Sequence, residues 1–286
     1  MQTRAPDLPP REIIELAEGL GMQSCEWTSL KGGRTNRAWR AKCSDDDVVF
    51  KVFDQARANP LFPNDPDAEA TAMVTLRGTG LAPNFRYRMQ FEDAECLVYD
   101  HQPGEALPGF DANAAKTLWN LHQIKVPDGL RRVSCTPDAL IAEGKWFLRN
   151  ADHPSVEMIA NRQPCLINLS CGPDVFLHGD PVPSNFVRHG EALTLIDWQC
   201  PAVGDACFDL GLAMSPAMHL VYGSKAEDAP SMDVLSAYPD AETVSRYRML
   251  APFVHWRMAA YCAWKAGQGE AVYGDAISAE LTALAS

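Results

Sequence analysis

Residues 176–199 read FLHGDPVPSNFVRHGEALTLIDWQ and set His178, Asp180, Asn185 and Asp197 in chain order. Asp180 offers a carboxylate able to accept a hydroxyl proton, and Asn185, at the fifth position beyond it, offers an amide oxygen to a hard cation. Arg188 to Glu191, with its glycine, reads as a tight turn, and Leu193, Leu195 and Ile196 as the strand returning from it. That turn folds Asp197 back over the loop as a second, charged oxygen donor. Magnesium is commonly held by one or two carboxylates and the phosphates of a nucleotide, so Asn185 and Asp197 form a suitably sparse pair. The competing reading is ordinary turn chemistry, since Asp, Asn and Pro together also make loops with no reactive role.

The sequel separates the two readings. A strand ends in Ile196-Asp197-Trp198, and Gly204-Asp205 and Asp209-Leu210 then open an apolar, helix-like run. Three linked elements in this order match the way kinases present a base, an amide ligand and a metal-binding aspartate. Together, HGDPVPSN, IDWQ and GDACFDL resemble the aminoglycoside phosphotransferase and choline kinase family. The resemblance implies an α+β, protein-kinase-like fold of two lobes, with a five-stranded antiparallel N-lobe and a mainly helical C-lobe. It further implies Asp180 as catalytic base, Asn185 and Asp197 as Mg2+ ligands, and His178 as a scaffold of the loop. Asp205 and Asp209 match bracing positions. Pro181 and Pro183 depart from the family pattern, stiffening the loop without removing a reactive group.

With 286 residues, 47% of them hydrophobic, the chain is long enough for two lobes sharing one cleft, divided here as 1–100 and 101–286. A formal charge of −12 and the absence of a Lys/Arg cluster argue against nucleic acid as a partner. The charge permits a cationic substrate, and it equally serves solubility. No apolar run is long enough to span a bilayer, and the N-terminus lacks the apolar core of a signal peptide. Nine cysteines occur without a C-x-x-C pair among apolar neighbours, so most are expected to be core residues in a reducing cytoplasm.

Working outward toward the N-terminus, Pro9-Pro10 precedes a helix carrying Ile13, Ile14, Leu16, Ala17 and Leu20, and Cys25 to Leu30 and Ala38 to Lys42 read as strands. Between those strands, Gly32 and Gly33 let the backbone approach phosphate oxygens, and Thr35 and Asn36 add side-chain donors. A plain hairpin would use the same glycines. GGRTNRAWR resembles the loop of choline and thiamine kinase relatives, which leans toward that branch. Val48 to Phe53 is an apolar strand with one Lys, Lys51, placed where kinases hold the α and β phosphates. Its expected partner on the following helix is Glu69, with Asp67 the competing acid. Leu97 to Gly104 resembles the segment that holds adenine through backbone groups and flanking side chains, which selects Val98 and Tyr99.

Helices are expected from Asp111, over 137–150, 155–162 and 211–222, and within 241–266. His122, on the first of these, reads as a buried hydrogen-bonding residue. Late aromatics, Tyr247, Phe253, Trp256, Tyr261 and Trp264, suit either core packing or a cation cage. Resemblance to choline kinases makes Trp256 and Trp264 the acceptor-site candidates. The expected reaction is transfer of the γ-phosphate of ATP, with Mg2+, to a hydroxyl of a small amine-bearing alcohol. An aminoglycoside or other metabolite as acceptor, and a nucleotide-binding regulator without activity, are the alternatives. A zinc or thiol protein would need a cysteine spacing that is lacking.

Overall fold

The computed structural model describes residues 8–30, 35–54, 56, 58–91, 94–223 and 230–285. Gly32 and Gly33 lie outside the described residues. In chain order the elements are α1 (Arg11–Gly19), β1 (Glu26–Ser29), β2 (Arg37–Lys42), β3 (Asp47–Val52), α2 (Pro66–Thr75), β4 (Phe85–Phe91) and β5 (Ala94–Asp100). There follow β6 (Glu105–Ala106), α3 (Ala112–His122), β7 (Arg131–Arg132), α4 (Pro137–Arg149), α5 (Val156–Ala160), β8 (Asp174–Leu177), β9 (Phe186–His189) and β10 (Ala192–Leu195). The chain closes with β11 (Ala202–Asp205), α6 (Cys207–Ala213), α7 (Pro216–Val221), α8 (Ala241–Gly267) and α9 (Ala271–Leu284).

The chain forms two compact units, Met1–Gly104 with His189–Cys200, and Glu105–Arg188 with Pro201–Ser286. These units differ from a division into 1–100 and 101–286 at 101–104 and at 189–200. The main chain of Leu195 donates to the Leu81 carbonyl and Thr194 Oγ1 to the Gly80 carbonyl, which ties this return segment to the turn after α2.

In the first unit the sheet order is β1-β2-β3-β5-β4, antiparallel throughout. Alternation along β3 sends Val48, Phe50 and Val52 to one face, where Ile13 and Ala17 of α1 close a core with Trp39, Cys96 and Val98. Lys51 therefore points to the opposite face, the one α2 serves. The α2 N-terminus is fixed by Asp65, whose side chain accepts from the main-chain N–H of Asp67 and Ala68.

Cys25 and Cys43 form a disulfide, an exception to the expectation that most of the cysteines are core thiols. The register explains the pairing: Glu26 faces Lys42 across β1 and β2, so residues 25 and 43 are the next opposed pair. Nothing in a spacing of 18 residues announces this. Of the seven free cysteines, five are buried, and Cys165 and Cys171 are exposed.

The second unit is mainly helical. α8 runs 27 residues, carries Pro252 inside, and is buried around most of its circumference against α4, α6 and α9. Two short strands flank β11, β7 parallel and β8 antiparallel, with Leu177 opposite Ala202 and Asp174 opposite Asp205. β8 delivers the chain to His178. Among the described residues no helix is long and apolar enough to cross a membrane.

Candidate active site

In the first unit one buried ammonium serves two carboxylates. Lys51, 3% exposed, donates to Glu69 Oε2 at 2.6 Å and to Asp197 Oδ1 at 2.5 Å. Of the two acids weighed for Lys51, the structure places Glu69 there; Asp67 instead pairs with Arg88 at the surface. Burial alone would lower the Lys51 pKa, but Asp197 and Glu69 outweigh it and hold the ammonium charged. Burial pushes Glu69 up to about 7; Lys51 pulls it down, and Asp197 adds to the rise. The two directions fit one another. A single cation shared by two anions leaves one negative charge over, and Glu69, 1% exposed, is the acid that cannot turn to water.

Asp197 takes φ of 63°, the left-handed region that Asp enters more readily than most residues. Its neighbour Trp198, fully buried, donates its indole N–H to the Leu195 carbonyl at 2.9 Å. With Oδ1 held by Lys51, Oδ2 is the oxygen Asp197 has to offer a cation.

In the second unit the loop after β8 is braced by a single carboxylate. Asp209, fully buried near the start of α6, accepts from the main-chain N–H of His178 at 2.8 Å and of Gly179 at 2.9 Å. Its Oδ2 also meets His122 Nε2 at 3.2 Å, while His122 Nδ1 meets the Tyr238 hydroxyl at 2.8 Å. The carboxylate accepts, so Nε2 carries a proton, and the Tyr238 hydroxyl, able to donate or accept, completes Nδ1. Gly179, at φ of 84°, supplies the conformation that places these two N–H groups on one acceptor. His178 Nδ1 in turn accepts from the Asp180 main-chain N–H.

Asp180 and Asn185, 2% and 6% exposed, share this loop, and the Asn185 side chain donates Nδ2–H to the Asp180 carbonyl at 2.9 Å. That bond fixes the amide and leaves Asn185 Oδ1 as its free oxygen. Asp205 accepts from the N–H groups of Gly172 and Cys207 and lies 3.4 Å from Arg246, bracing the entry to α6. Among the described residues no group of three or more His, Cys, Asp or Glu could hold a metal. Asp197 Oδ2 in the first unit and Asn185 Oδ1 in the second are each oxygen donors of the kind Mg2+ takes beside nucleotide phosphates.

Several residues selected from sequence sit elsewhere. Val98 belongs to the core on the α1 side, the face opposite Lys51. Val98 and Tyr99 are both laddered between β3 and β4, and main-chain bonds continue through Asp100 and His101. Their backbone groups are thus used by the sheet, and the chain first leaves the ladder at 102–104. The Tyr99 phenol feels the charges of Lys51, Glu69 and Asp197, with burial raising its pKa most. Thr35, the first described residue after Leu30, is half-buried. Asn36 spends its amide within the protein, accepting from the Asp54 N–H and donating to Asn64 and Gln199, so it has no donor left for a phosphate.

Trp256 is a core residue. It is 1% exposed, its indole donates to the Ile159 carbonyl at 2.8 Å, and its ring lies 2.3 Å from where a Cβ on Gly144 would be. So buried a ring, packed closely against Gly144, presents no open face to a ligand cation. Trp264 is half-buried among Trp146, Phe147 and Tyr261, and Lys265 lies 5.8 Å from its ring centre. That ring already has a cation of its own.

The chain belongs to the phosphotransferase enzyme family, whose model matches residues 26–250. The fold is shared with a choline/ethanolamine kinase family protein from Mesorhizobium loti, at 16% identity and a TM-score of 0.68, over 96% of this chain and 94% of that one. It is also shared with a microcompartment-associated aminopropanol kinase, at 13% identity, a TM-score of 0.58 and 96% coverage of both chains. The spectinomycin phosphotransferase APH(9)-Ia gives 13% identity and 0.57 over 95% and 94%. No curated protein sequence matches. The architecture is therefore that of the protein-kinase-like phosphotransferases, a five-stranded antiparallel sheet followed by a helical C-terminal part.

Proposed function

We propose that the protein transfers the γ-phosphate of ATP to a hydroxyl of a small, amine-bearing alcohol of the choline, ethanolamine or thiamine type. The observation that carries the reading is Lys51 held by both Glu69 and Asp197, a fixed cation for nucleotide phosphates beside an acid that still has a free oxygen. Asp180 is the base. It accepts the acceptor's hydroxyl proton as that oxygen bonds to the γ-phosphorus and the bond to the bridging oxygen of ADP breaks. Asp209 and His178 hold Asp180 in place, and Pro181 and Pro183 restrict the loop that follows. Asp197 Oδ2 and Asn185 Oδ1 would hold Mg2+, which when bound offsets the triphosphate charge.

The preference for an amine-bearing acceptor is supported by the GGRTNRAWR wording of the first hairpin and by the fold shared with choline/ethanolamine and aminopropanol kinases. Adenine is assigned to main-chain groups at 102–104, where the backbone leaves the sheet. The reading places the reaction in the cytoplasm, a compartment that would tend to open the Cys25–Cys43 bridge.

The test is ADP release with Mg2+ across choline, ethanolamine, thiamine, aminopropanol and an aminoglycoside, with Asp180→Ala as the blank. Turnover on an amine alcohol that the blank lacks is expected. Turnover confined to the aminoglycoside would move the acceptor class, and ATP binding with no turnover would favour a regulator.

A further inference from the structure

We propose that Asn36, Asn64 and Gln199 act together as a positioning cluster that sets Lys51, Glu69 and Asp197 relative to one another. The proposal deepens the phosphotransferase reading and rests on it. Asn36 Oδ1 accepts from the Asp54 N–H at 3.0 Å and from Asn64 Nδ2 at 2.8 Å, and its Nδ2 donates to Asn64 Oδ1 at 2.8 Å and Gln199 Oε1 at 3.0 Å. Asn64 Nδ2 also donates to the Asp54 carbonyl at 2.9 Å. The orientations of the two asparagines are not arbitrary. An N–H of Asp54 requires an oxygen from Asn36, and a carbonyl of Asp54 requires a nitrogen from Asn64.

The cluster joins three points that each sit next to a carrier of the charged triad, with Asn36 at the centre binding all three. Asp54 lies three residues after Lys51, just beyond the end of β3. Asn64 precedes Asp65, which caps the helix carrying Glu69. Gln199 lies two residues after Asp197, and its main-chain carbonyl accepts from the Asp65 N–H at 3.0 Å. Three segments distant in sequence are thus joined twice, once through charge at Lys51 and once through neutral amides. The charged junction must loosen whenever phosphates or a cation compete for Lys51 and Asp197. The amide junction carries no charge, so it keeps its geometry through that exchange. Asn64 and Gln199 are 2% and 4% exposed, so the amide bonds they make are partly shielded from water, whereas the Asp54 N–H bond to Asn36 lies at the surface.

Gln199→Met keeps the length of the side chain and removes the acceptor, whereas Gln199→Glu keeps an oxygen facing Asn36 Nδ2. The expected result for Gln199→Met is a rise of about tenfold in the Mg2+ concentration giving half-maximal ATP turnover, with acceptor KM unchanged. Gln199→Glu should restore that value to within about twofold. Asn64→Asp, which loses both donations from Nδ2, should reproduce the Gln199→Met pattern by an independent route. Amide hydrogen exchange on the nucleotide-free protein provides a readout that needs no activity: Gln199→Met should speed exchange at the Asp54 and Asp65 N–H groups together.

A lower melting temperature with unchanged Mg2+ dependence would reduce the cluster to a packing feature and overturn the proposal. Faster exchange at Asp65 alone would overturn it too, by showing that Gln199 is not coupled to Asp54. Wild-type protein without Mg2+-ATP turnover would instead remove the phosphotransferase reading, leaving the exchange result to decide on the cluster.

Discussion

Removing the shared cation exposes an imbalance of charge that the wild-type protein conceals. In Lys51→Met, Glu69 and Asp197 lose the cation they share, and leaving a buried charge unpaired costs about 3–5 kcal/mol. The two acids do not share that loss equally. Asp197, with 26% of its side chain exposed, can turn to solvent, whereas Glu69 has 1% and can escape only by taking a proton. Burial already raises Glu69 to about 7 with Lys51 in place, and losing the ammonium raises it further.

An acid whose folded pKa lies above its unfolded value contributes most below the unfolded pKa, near 4.5, and loses that contribution as pH rises through the folded one. The variant should therefore lose about 3 kcal/mol at pH 8 and about 1.4 kcal/mol less than that at pH 6. Urea unfolding followed by tryptophan fluorescence at the two pH values reads both numbers. Lys51→Met/Glu69→Gln should regain most of the stability and lose the pH slope, yet still fail to bind Mg2+-ATP. A loss of equal size at both pH values, or a double variant no more stable than the single one, would refute the reasoning.

Other perturbations separate loop bracing, core packing and thiol exposure. Asp209→Asn gives up one charged acceptor for two main-chain donors and His122, and should cost about 2–3 kcal/mol of stability while lowering kcat well before acceptor KM moves; wild-type kcat would remove Asp209 from the brace. Gly144→Ala drives a methyl group into the Trp256 ring and should destabilise by about 1–3 kcal/mol, with relief from Trp256→Phe in the same chain. A shift in acceptor KM without loss of stability would return Trp256 to the ligand site. A thiol reagent on the native protein should label Cys165 and Cys171 quickly and leave the five buried cysteines, such as Cys96, whose thiol burial pushes up to about 12. Seven thiols after unfolding without reductant, and nine with it, would report the Cys25–Cys43 bridge.

How much of this was legible in the sequence depended on how tightly chemistry constrains the residues. His178, Asp180, Asn185 and Asp197 stood out because their order along one loop and the strand after it matches the kinase arrangement of base, amide ligand and aspartate. Lys51 and Glu69 stood out through the kinase pattern of a strand lysine and a helix acid, and only the structure decides between Glu69 and Asp67. The braces did not: Asn36 meets Asn64 across 28 residues and Gln199 across 163, and amide side chains are common in any loop. His122 was legible as a buried hydrogen-bonding residue, but its partners Asp209 and Tyr238 follow only from tertiary packing. Cys25 and Cys43 are joined by strand register, which cysteine spacing does not encode. On α8 the aromatic periodicity could not tell core from ligand cage, because residues 253–263 are buried on every side of the helix. Val98 failed for a related reason, since a strand in mid-sheet uses its own backbone.

The most direct measurement is phosphorus NMR of a reaction containing the protein, Mg2+-ATP and one amine alcohol at a time, run beside Asp180→Ala. A phosphomonoester of choline, ethanolamine, aminopropanol or thiamine that grows in step with ADP, and is absent with the variant, is the predicted result. ADP accompanied only by inorganic phosphate, or a product spectrum unchanged by Asp180→Ala, would contradict it.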